Sequence, residues 1–389
     1  MPANRRISDF ATTDWPWREG NAFELLENCG QYFERMIRAI DDARSYVLLE
    51  MYLVETGVVS NRFIEAFVRA ARRGIAVRIV LDGFGSLGLS QADRHRLSEA
   101  GVQLRLYNPV RLRKQMRNFL RDHRKLMLVD GALAFVGGVG LTDAFGVTGP
   151  PGWPWRDVMV AIRGPVVSDW QLAFAMTWRR SGTELDCAVP LNASLLEQGA
   201  QGRVVLSDAW YRSELANAVA RRIGAARSRA WVMSAYFVPS RRFRKALRRA
   251  ARRGVDVRLL VPGPLTDHPW VRHAARRFYG KLLRNGVRIF EYQPRVLHGK
   301  MTICDDWVSL GSSNLDRWSF KWNLEANQEV ANAGFAGEAA RVFAQDCGHS
   351  LELDRRHWPR RAWLDRMQER VAGALDRWLD RWRRPDSRR

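Results

Sequence analysis

Cysteine is scarce in this sequence, and the four cysteines that occur follow no metal-binding pattern. No two of them have the CxxC spacing that is typical of zinc sites and redox centres. A chain of 389 residues with so few cysteines also differs from the disulfide frameworks of small secreted domains. We therefore expect neither a zinc site nor a disulfide framework, and a reducing compartment. The cysteines are Cys29, Cys187, Cys304 and Cys347.

Long apolar runs are also missing. No apolar segment reaches the ~18 residues needed to span a bilayer. The best candidates are interrupted by Glu50 and Glu55 in one case and by Asp130 in the other. The first ten residues contain no apolar run of the signal-peptide type. The sequence therefore predicts a soluble or peripheral protein rather than an integral one.

Acidic residues are outnumbered by basic ones. The chain has 63 Lys and Arg against 41 Asp and Glu, a formal net charge of +22. Such a surplus indicates a polyanionic partner, either nucleic acid or an anionic membrane surface. A solvated, arginine-rich surface is the alternative. The segment 111–121 mixes five cations with four apolar residues and leads directly to His123. This mixture suits a lipid interface or a phosphate backbone, and a solvated helix is again the alternative.

The chain contains an internal repeat. Residues 69–78 read RAARRGIAVR and residues 249–258 read RAARRGVDVR. Around each copy the pattern predicts strand, helix, strand, helix and strand, and Ser240 is a plausible N-cap of the second-copy helix. This repetition predicts an α/β fold with two similar lobes. We place the lobes at 1–182 and 183–350, followed by a separate segment at 351–389.

Each half ends in the same short motif, His-x-Lys followed by four residues and Asp. The second copy begins 175 positions after the first. Residues i and i+2 of a strand point to the same face, so each His projects together with its Lys. Each Asp precedes or begins a turn, and a structural role there is favoured. The motif residues are His123, Lys125, Asp130, His298, Lys300 and Asp305.

Two imidazoles and two ammonium groups can perform phosphodiester chemistry together. A neutral imidazole is a good nucleophile near pH 7, because its pKa lies close to that value. A second, protonated imidazole can give a proton to the leaving oxygen. The lysines can bind phosphoryl oxygens as point charges. Neither step requires a metal ion or another cofactor.

At this point the sequence resembles the phospholipase D superfamily, and within it the bacterial cardiolipin synthase branch in its short form without transmembrane helices. The resemblance rests on the paired motifs, on 298–316 and 323–327, and on 20–21 and 24–28. It covers roughly residues 15–350. The implied fold is α/β, with two similar phospholipase D-like lobes and the active site at their interface.

The resemblance also implies a phosphohistidine intermediate and roles for individual residues. In relatives the first-motif His is usually the nucleophile, which points to His123, with His298 as general acid and then base. Acidic residues that orient the histidines would be Asp157 and Glu325. Either carboxylate would fix the tautomer of its imidazole. An ordinary surface salt bridge is the alternative for these two carboxylates.

A phosphate-binding pair and one departure from the family pattern follow from the same resemblance. Ser312 and Asn314 occupy the Gly-Ser-x-Asn positions that contact phosphate in relatives. The first half carries Gly140 where relatives commonly have Asn. An amide donor is therefore missing from that lobe, while both histidines and both lysines remain.

The C-terminal segment carries a pattern of its own. Between 361 and 384, tryptophans and aliphatic residues recur at helical spacing with arginines between them. We interpret this stretch as a basic amphipathic helix. Docking on a membrane surface and docking on the lobes or on a partner chain are equally favoured.

The function that these observations favour is transfer of a phosphatidyl group, with formation of cardiolipin from phosphatidylglycerol. Hydrolysis by a phospholipase D, cleavage of nucleic acid by a related nuclease or phosphodiesterase, and a basic scaffold with a decayed site are the alternatives. The implied partners are an anionic phospholipid membrane surface and a phosphatidylglycerol-like substrate, with nucleic acid less favoured. The implied location is cytoplasmic, peripheral to the inner membrane.

Overall fold

The computed structural model describes residues 15–147, 149–182, 185, 196–197, 199–207, 214–316, 322–358, 363, 367–369 and 371–372. Two predicted features lie outside these residues: Cys187 and most of the C-terminal helix. The predicted lobe boundary, between 182 and 183, falls at the edge of a described range. The boundary stays a prediction. Each half alternates strands and helices and then adds a hairpin of antiparallel strands, which confirms the predicted α/β class.

The N-terminal half contains two β-α-β units and then the hairpin that carries the first motif. Its elements are β1 (Arg18–Leu26), α1 (Cys29–Asp41), β2 (Tyr46–Met51), α2 (Val58–Arg72), β3 (Ala76–Asp82), α3 (Gln91–Glu99), β4 (Gln103–Tyr107), a 3-10 helix (Leu112–Phe119), β5 (Arg121–Asp122), β6 (Lys125–Val129), β7 (Leu133–Gly137), a 3-10 turn (Asp143–Phe145), β8 (Met159–Arg163) and α4 (Val166–Arg180).

The C-terminal half repeats this order. Its elements are β9 (Ala200–Ser207), α5 (Glu214–Ala225), β10 (Arg229–Ser234), α6 (Arg241–Arg252), β11 (Asp256–Pro262), α7 (Pro269–Leu283), β12 (Arg288–Tyr292), β13 (Lys300–Cys304), β14 (Trp307–Gly311), β15 (Asn323–Ala331), α8 (Ala333–Gly348) and β16 (Ser350–Glu352).

One continuous sheet joins the two halves. Its order is β16-β12-β11-β10-β13-β14-β15-β9-β1-β8-β7-β6-β2-β3-β4, with β5 paired to β15. Apart from the extra edge strand β16, the same sequence of equivalent strands leads from each edge to the central antiparallel pair β9 and β1. The strands β2, β3 and β4 are parallel, as are β10, β11 and β12. The duplication in sequence is therefore a duplication of topology about the β1–β9 pair.

The helices of the repeat form where the apolar spacing predicts them. In α6, the buried residues Phe243, Leu247 and Ala250 recur at intervals of four and three, so one face meets the sheet. Ser240 is its N-cap, and its Oγ accepts a hydrogen bond from the backbone N–H of Phe243, which confirms that prediction. Burial of each large apolar side chain contributes about 1.5–3 kcal/mol.

The core beneath the central strands belongs to both halves. Helix α4 contributes Trp170, Phe174 and Trp178 to a cluster that also contains Phe335 and Phe343 of α8. A hydrogen bond crosses from one half to the other, because the indole N–H of Trp170 donates to Gln328 Oε1 at 2.8 Å. The halves are thus packed into one unit, which fixes the position of each motif relative to the other.

The described part of the C-terminal segment both docks and exposes apolar residues. Ala372 is buried with Val238 and Ala274, and Glu369 forms an ion pair with Arg276 at 3.3 Å. In contrast, apolar side chains at intervals of four residues point to solvent. These are Trp363, Met367 and Val371. Within the described residues, no helix is long and apolar enough to cross a bilayer.

Candidate active site

The two motif histidines lie side by side across the junction of the halves. Each immediately precedes the hairpin strand pair of its own half, and each is anchored by the other half. The backbone N–H of His123 donates to the carbonyl of Leu324 at 3.0 Å, and that of His298 donates to the carbonyl of Arg156 at 2.7 Å. The predicted site at the lobe interface is therefore formed by backbone pairing between the halves.

The histidine-orienting carboxylates are exchanged between the halves. His123 Nδ1 lies 3.0 Å from Glu325 Oε1, and His298 Nδ1 lies 2.6 Å from Asp157 Oδ2. Glu325 and Asp157 occupy equivalent positions. A glycine ends each of the strands β14 and β7, and the residue that pairs with that glycine lies two positions after the carboxylate. A carboxylate that accepts from Nδ1–H leaves the lone pair on Nε2. The Nε2 atoms of the two histidines can then act on a substrate in the same cavity.

The two carboxylates are held differently. Glu325 accepts hydrogen bonds from Ser312 Oγ at 2.5 Å and Asn323 Nδ2 at 3.2 Å. Asp157 accepts one from the backbone N–H of Val158 at 2.8 Å. Gly138 packs directly against Asp157, since a Cβ at residue 138 would lie 2.5 Å from Asp157 Oδ2.

Ser312 and Asn314, the predicted phosphate-binding pair, make different contacts. Ser312 is buried behind Glu325, and its hydroxyl is engaged there rather than in the cavity. Asn314 lines the cavity, and its Oδ1 is buried without a hydrogen bond from the described residues. The geometry thus assigns Ser312 to the support of Glu325 and leaves Asn314 as the amide that faces the substrate space.

Both motif lysines are buried beside the histidines. Lys125 Nζ donates to the carbonyl of His123 at 2.7 Å. Lys300 Nζ lies 3.0 Å from His298 Nδ1 and 3.2 Å from its Nε2. Burial lowers the pKa of Lys125 to about 7 and also lowers the pKa of Lys300. An anion in the cavity stabilises both ammonium groups, so the site is suited to bind phosphate.

The acid–base properties of the two histidines follow from burial and from their neighbours. Burial lowers the pKa of His123, and the charge of Glu325 opposes this shift. Burial and the charge of Lys300 lower the pKa of His298 well below its ordinary value. Burial also raises the pKa of Asp157 to about 6. The His298–Asp157 pair therefore holds a proton more readily than a buried imidazole alone.

The motif aspartates lie at the far ends of their strands. Asp130 and Asp305 adopt left-handed backbone conformations, with φ of 53° and 51°, in the turns after β6 and β13. Asp130 accepts backbone hydrogen bonds at the start of β2, from Ser45 and Tyr46 at 2.8 and 2.9 Å. Partial burial acts to raise the pKa of Asp305, but hydrogen bonds from Ser228 and nearby backbone amides lower it to about 2. Although both belong to the motifs that carry the candidate catalytic residues, their contacts are those of residues that fix turns, the role that their positions favoured.

A cavity of about 660 Å³ opens above the histidines. Aromatic rings surround the imidazoles: Tyr52 lies 4.7 Å from His123, and Phe145 lies 5.1 Å from His298, measured between ring centroids. Tyr236 also lines the cavity, and its hydroxyl donates to Asp267. Asp267 is followed by His268, another lining residue to which the sequence assigned no role.

The sequence missed these lining residues because they belong to no repeated motif. The one available signal was position: Tyr52 and Tyr236 each follow the first parallel strand of their half, where α/β sheets commonly place ligand sites. Within the described ranges, no group of three or more His, Cys, Asp or Glu residues is placed to hold a metal ion.

The packing around residue 140 explains why it is a glycine. A Cβ at this position would lie 2.9 Å from the carbonyl oxygen of Leu53, which already accepts a hydrogen bond from the N–H of Leu141 at 2.9 Å. A side chain there would require a backbone shift. The equivalent residue in the other half is Asn314. The cavity therefore has an amide from the C-terminal half and a bare backbone from the N-terminal half.

The duplicated α/β fold and the paired His–Lys motifs define a two-lobed phospholipase D-like enzyme. The chain belongs to the family described as cardiolipin synthase, PLD-like domain, whose model matches residues 36–145 and 219–347. This confirms the resemblance seen in the motifs.

Individual relatives agree with this membership. The chain is 35% identical to cardiolipin synthase B of Escherichia coli over 366 residues, which covers 89% of this chain and 86% of the relative. It is 35% identical to cardiolipin synthase A of Pseudomonas aeruginosa over 345 residues, which covers 88% of this chain and 70% of the relative.

Among solved structures, phosphatidylserine synthase of Haemophilus influenzae has a similar fold. The TM-score is 0.70 at 12% identity, and the match covers 92% of this chain and 93% of that one. Polyphosphate kinase of Porphyromonas gingivalis matches with a TM-score of 0.59 at 13% identity, over 85% of this chain and 48% of that one. At these identities the likeness concerns the fold.

Proposed function

We propose that this protein is a phosphatidyltransferase that forms cardiolipin from two molecules of phosphatidylglycerol and releases glycerol. The observation that carries the proposal is the pair of imidazoles in one cavity, each oriented by a carboxylate of the opposite half and each beside a buried lysine. The cardiolipin synthases among its relatives support this choice of substrate.

In the first step, His123 Nε2 attacks the phosphorus of one phosphatidylglycerol. The P–N bond forms, the P–O bond to the terminal glycerol breaks, and the leaving oxygen takes a proton from His298. In the second step, neutral His298 accepts the proton of a hydroxyl on a second phosphatidylglycerol. That oxygen attacks the phosphorus, the P–N bond breaks, and cardiolipin leaves. Neither step changes an oxidation state.

The division of roles is supported by the unequal carboxylates. Glu325 is held by a hydroxyl and an amide donor, and its contact with Nδ1 of His123 directs Nε2 toward the substrate. Burial raises the pKa of Asp157 to about 6, and its Oδ2 lies 2.6 Å from His298 Nδ1. This pair is suited to deliver a proton and then to take one back.

The buried lysines make the site sensitive to the charge of the substrate. A phosphodiester anion between Lys125 and Lys300 raises the pKa of the neighbouring imidazoles, because it favours their charged forms. Binding of the substrate thus helps to protonate the acid, His298. The two ammonium groups also stabilise the negative charge of the phosphorane-like transition state.

A peripheral position on the cytoplasmic face of the membrane completes the proposal. Phe119 and Trp270 line the cavity and are exposed by 45% and 62%, which places apolar surface at its mouth. The net charge of +22 attracts the protein to anionic lipid. A lipid held in the bilayer can then present its phosphodiester to the cavity.

The test is incubation of the purified protein with phosphatidylglycerol vesicles and, separately, with single-stranded DNA. We expect cardiolipin and glycerol in equal amounts. His123→Ala should abolish both products, whereas His95→Ala, which removes an exposed imidazole outside the cavity lining, should leave them unchanged. DNA cleavage without a lipid product would contradict the proposal. Phosphatidic acid in place of cardiolipin would show that water is the acceptor and that the enzyme is a hydrolase.

A further inference from the structure

A strongly basic groove lies between α6 and α7 of the C-terminal half, outside the catalytic cavity. We call it the α6/α7 groove. Its volume is about 600 Å³. Six cations line it, and its described lining contains no carboxylate. The cations are Arg241, Arg244, Lys245, Arg248, Arg277 and Lys281.

An aromatic ring arranges two of these cations. The guanidinium of Arg244 lies 4.2 Å from the ring centroid of Phe278, and that of Arg277 lies 4.4 Å from it. Such cation–π contacts favour guanidinium groups at fixed positions. Two planar donors are therefore held close together, which suits the recognition of phosphate oxygens.

The remaining cations surround this pair. Arg241, Lys245 and Lys281 are exposed. Together with Arg248, they form no ion pair with any carboxylate of the described chain. Like charges collected in one groove repel each other, so their proximity costs free energy unless an anion binds among them.

The duplication supplies an internal comparison. In the N-terminal half, the equivalent groove between α2 and α3 is lined by three arginines and two glutamates. Arg69 there pairs with Asp41 at 2.9 Å, and Arg96 pairs with Asp93 at 3.1 Å. The same pair of helices therefore packs on the same kind of sheet without a groove whose charged lining is all cationic. The fold does not require this charge, which points to a ligand of the C-terminal groove.

The position of the groove links it to the catalytic cavity. Trp270, Val271 and Ala274 of α7 line the cavity, while Arg277 and Lys281 of the same helix line the groove. At 1.5 Å per residue, Ala274 and Lys281 are separated by about 10 Å along the helix. A surface that contacts the exposed Trp270 at the cavity mouth is thus within reach of the groove.

We propose that the α6/α7 groove binds phosphate-bearing headgroups of anionic phospholipids and holds the cavity mouth against an anionic bilayer. This inference rests on the proposed function. The charge of the groove complements phosphate, and the exposed indole beside it complements the lipid interface. Zwitterionic lipids, whose headgroups carry their own cation, bind less well to such a cluster.

The test compares two triple variants that remove the same charge. Arg241→Ala/Lys245→Ala/Lys281→Ala changes the α6/α7 groove, and Arg69→Ala/Arg72→Ala/Arg96→Ala changes its equivalent in the N-terminal half. All six side chains are exposed. Sedimentation with vesicles of phosphatidylglycerol in phosphatidylcholine measures the partition coefficient. We expect an about 100-fold loss for the first variant, since each cation near the surface contributes about 1 kcal/mol, and at most an about threefold loss for the second.

Equal losses in the two variants would overturn the inference, because the effect would then come from net charge alone. A loss confined to single-stranded DNA, with vesicle binding intact, would overturn it as well. Lys281→Glu provides a second variant with one exposed change, and it should weaken vesicle binding more than Arg72→Glu does.

A soluble substrate separates this inference from the proposed function. With short-chain phosphatidylglycerol below its micellar concentration, the groove variant should keep the wild-type kcat/KM, because no bilayer is involved. If the wild-type protein transfers no phosphatidyl group from this substrate, the proposed function fails, whatever the vesicles show. If transfer is normal and both variants bind vesicles alike, only the groove assignment fails.

Discussion

The two halves of the molecule share one framework and differ at the positions that determine chemistry. Asp157 and Glu325 are equivalent in the sheet, but the residues behind them differ. Glu325 is supported by the hydroxyl of Ser312, whereas Gly138, at the corresponding position, leaves room for Asp157 to approach closely. One half thus provides a carboxylate that accepts two side-chain hydrogen bonds, and the other a carboxyl group whose pKa burial raises to about 6. The duplication gives two equivalent positions, and the residues around them differ.

The largest effects should come from removing one histidine at a time, because this separates the nucleophile from the acid. With phosphatidylglycerol, His123→Ala should lower the rate by at least about 10⁴-fold and His298→Ala by about 10²–10⁴-fold. With a nitrophenyl phosphodiester, whose leaving group needs no proton, His298→Ala should still form a phosphohistidine at near the wild-type rate. His123→Ala should not.

Single-turnover release of nitrophenolate measures this difference between the halves. Activity of His123→Ala together with inactivity of His298→Ala would reverse the two roles. Equal loss in both variants would show that the halves do not divide the chemistry in this way.

An intermediate effect is expected from pH. The pKa of Lys125 is lowered to about 7, so its ammonium form predominates below that pH and is lost as the pH rises. For the nitrophenyl phosphodiester, which needs no proton from His298, the value of kcat/KM reports the free enzyme and should therefore fall about tenfold per pH unit above about pH 7. Lys125→Arg keeps its charge throughout this range and should remove the alkaline limb, whatever its absolute rate. A wild-type profile that stays flat to pH 9 would contradict the assignment.

The smallest effect concerns the supports of the carboxylates. Gly138→Ser places a Cβ against Asp157 and should destabilise the protein by about 1–3 kcal/mol. Ser312→Gly removes a donor from a charged acceptor and should cost about 1.5–3 kcal/mol. Urea unfolding measures both. If Gly138→Ser is tolerated as well as Ala132→Ser, a change in the β6–β7 turn, the close packing around Asp157 is not what distinguishes the halves.

Much of this site could be predicted from the sequence because the motif occurs twice. The alternation of strand and helix, the His–Lys pairs and the two carboxylates all follow from local patterns or from family resemblance. The exchange of carboxylates between the halves could not be predicted. It depends on the pairing of β5 with β15 and on the bridge between Arg156 and Leu297, which are contacts between distant segments.

The α6/α7 groove escaped the sequence for a different reason. A helix such as α6, with a charged outer face, is usually solvated, and only the fold shows that the cations of α7 converge on it. Ser312 was predicted to contact phosphate from its position in the family motif. Such a position carries no information on the direction in which the hydroxyl points. In the structure its Oγ is satisfied by Glu325.

The exchanged carboxylates have a consequence for how the enzyme can be inactivated. Any opening along the β1–β9 seam takes Glu325 from His123 and Asp157 from His298 in a single movement. Under the proposed mechanism, the nucleophile and the proton donor would therefore lose their carboxylates together. The orientation of both imidazoles therefore depends on the integrity of one interface within the sheet.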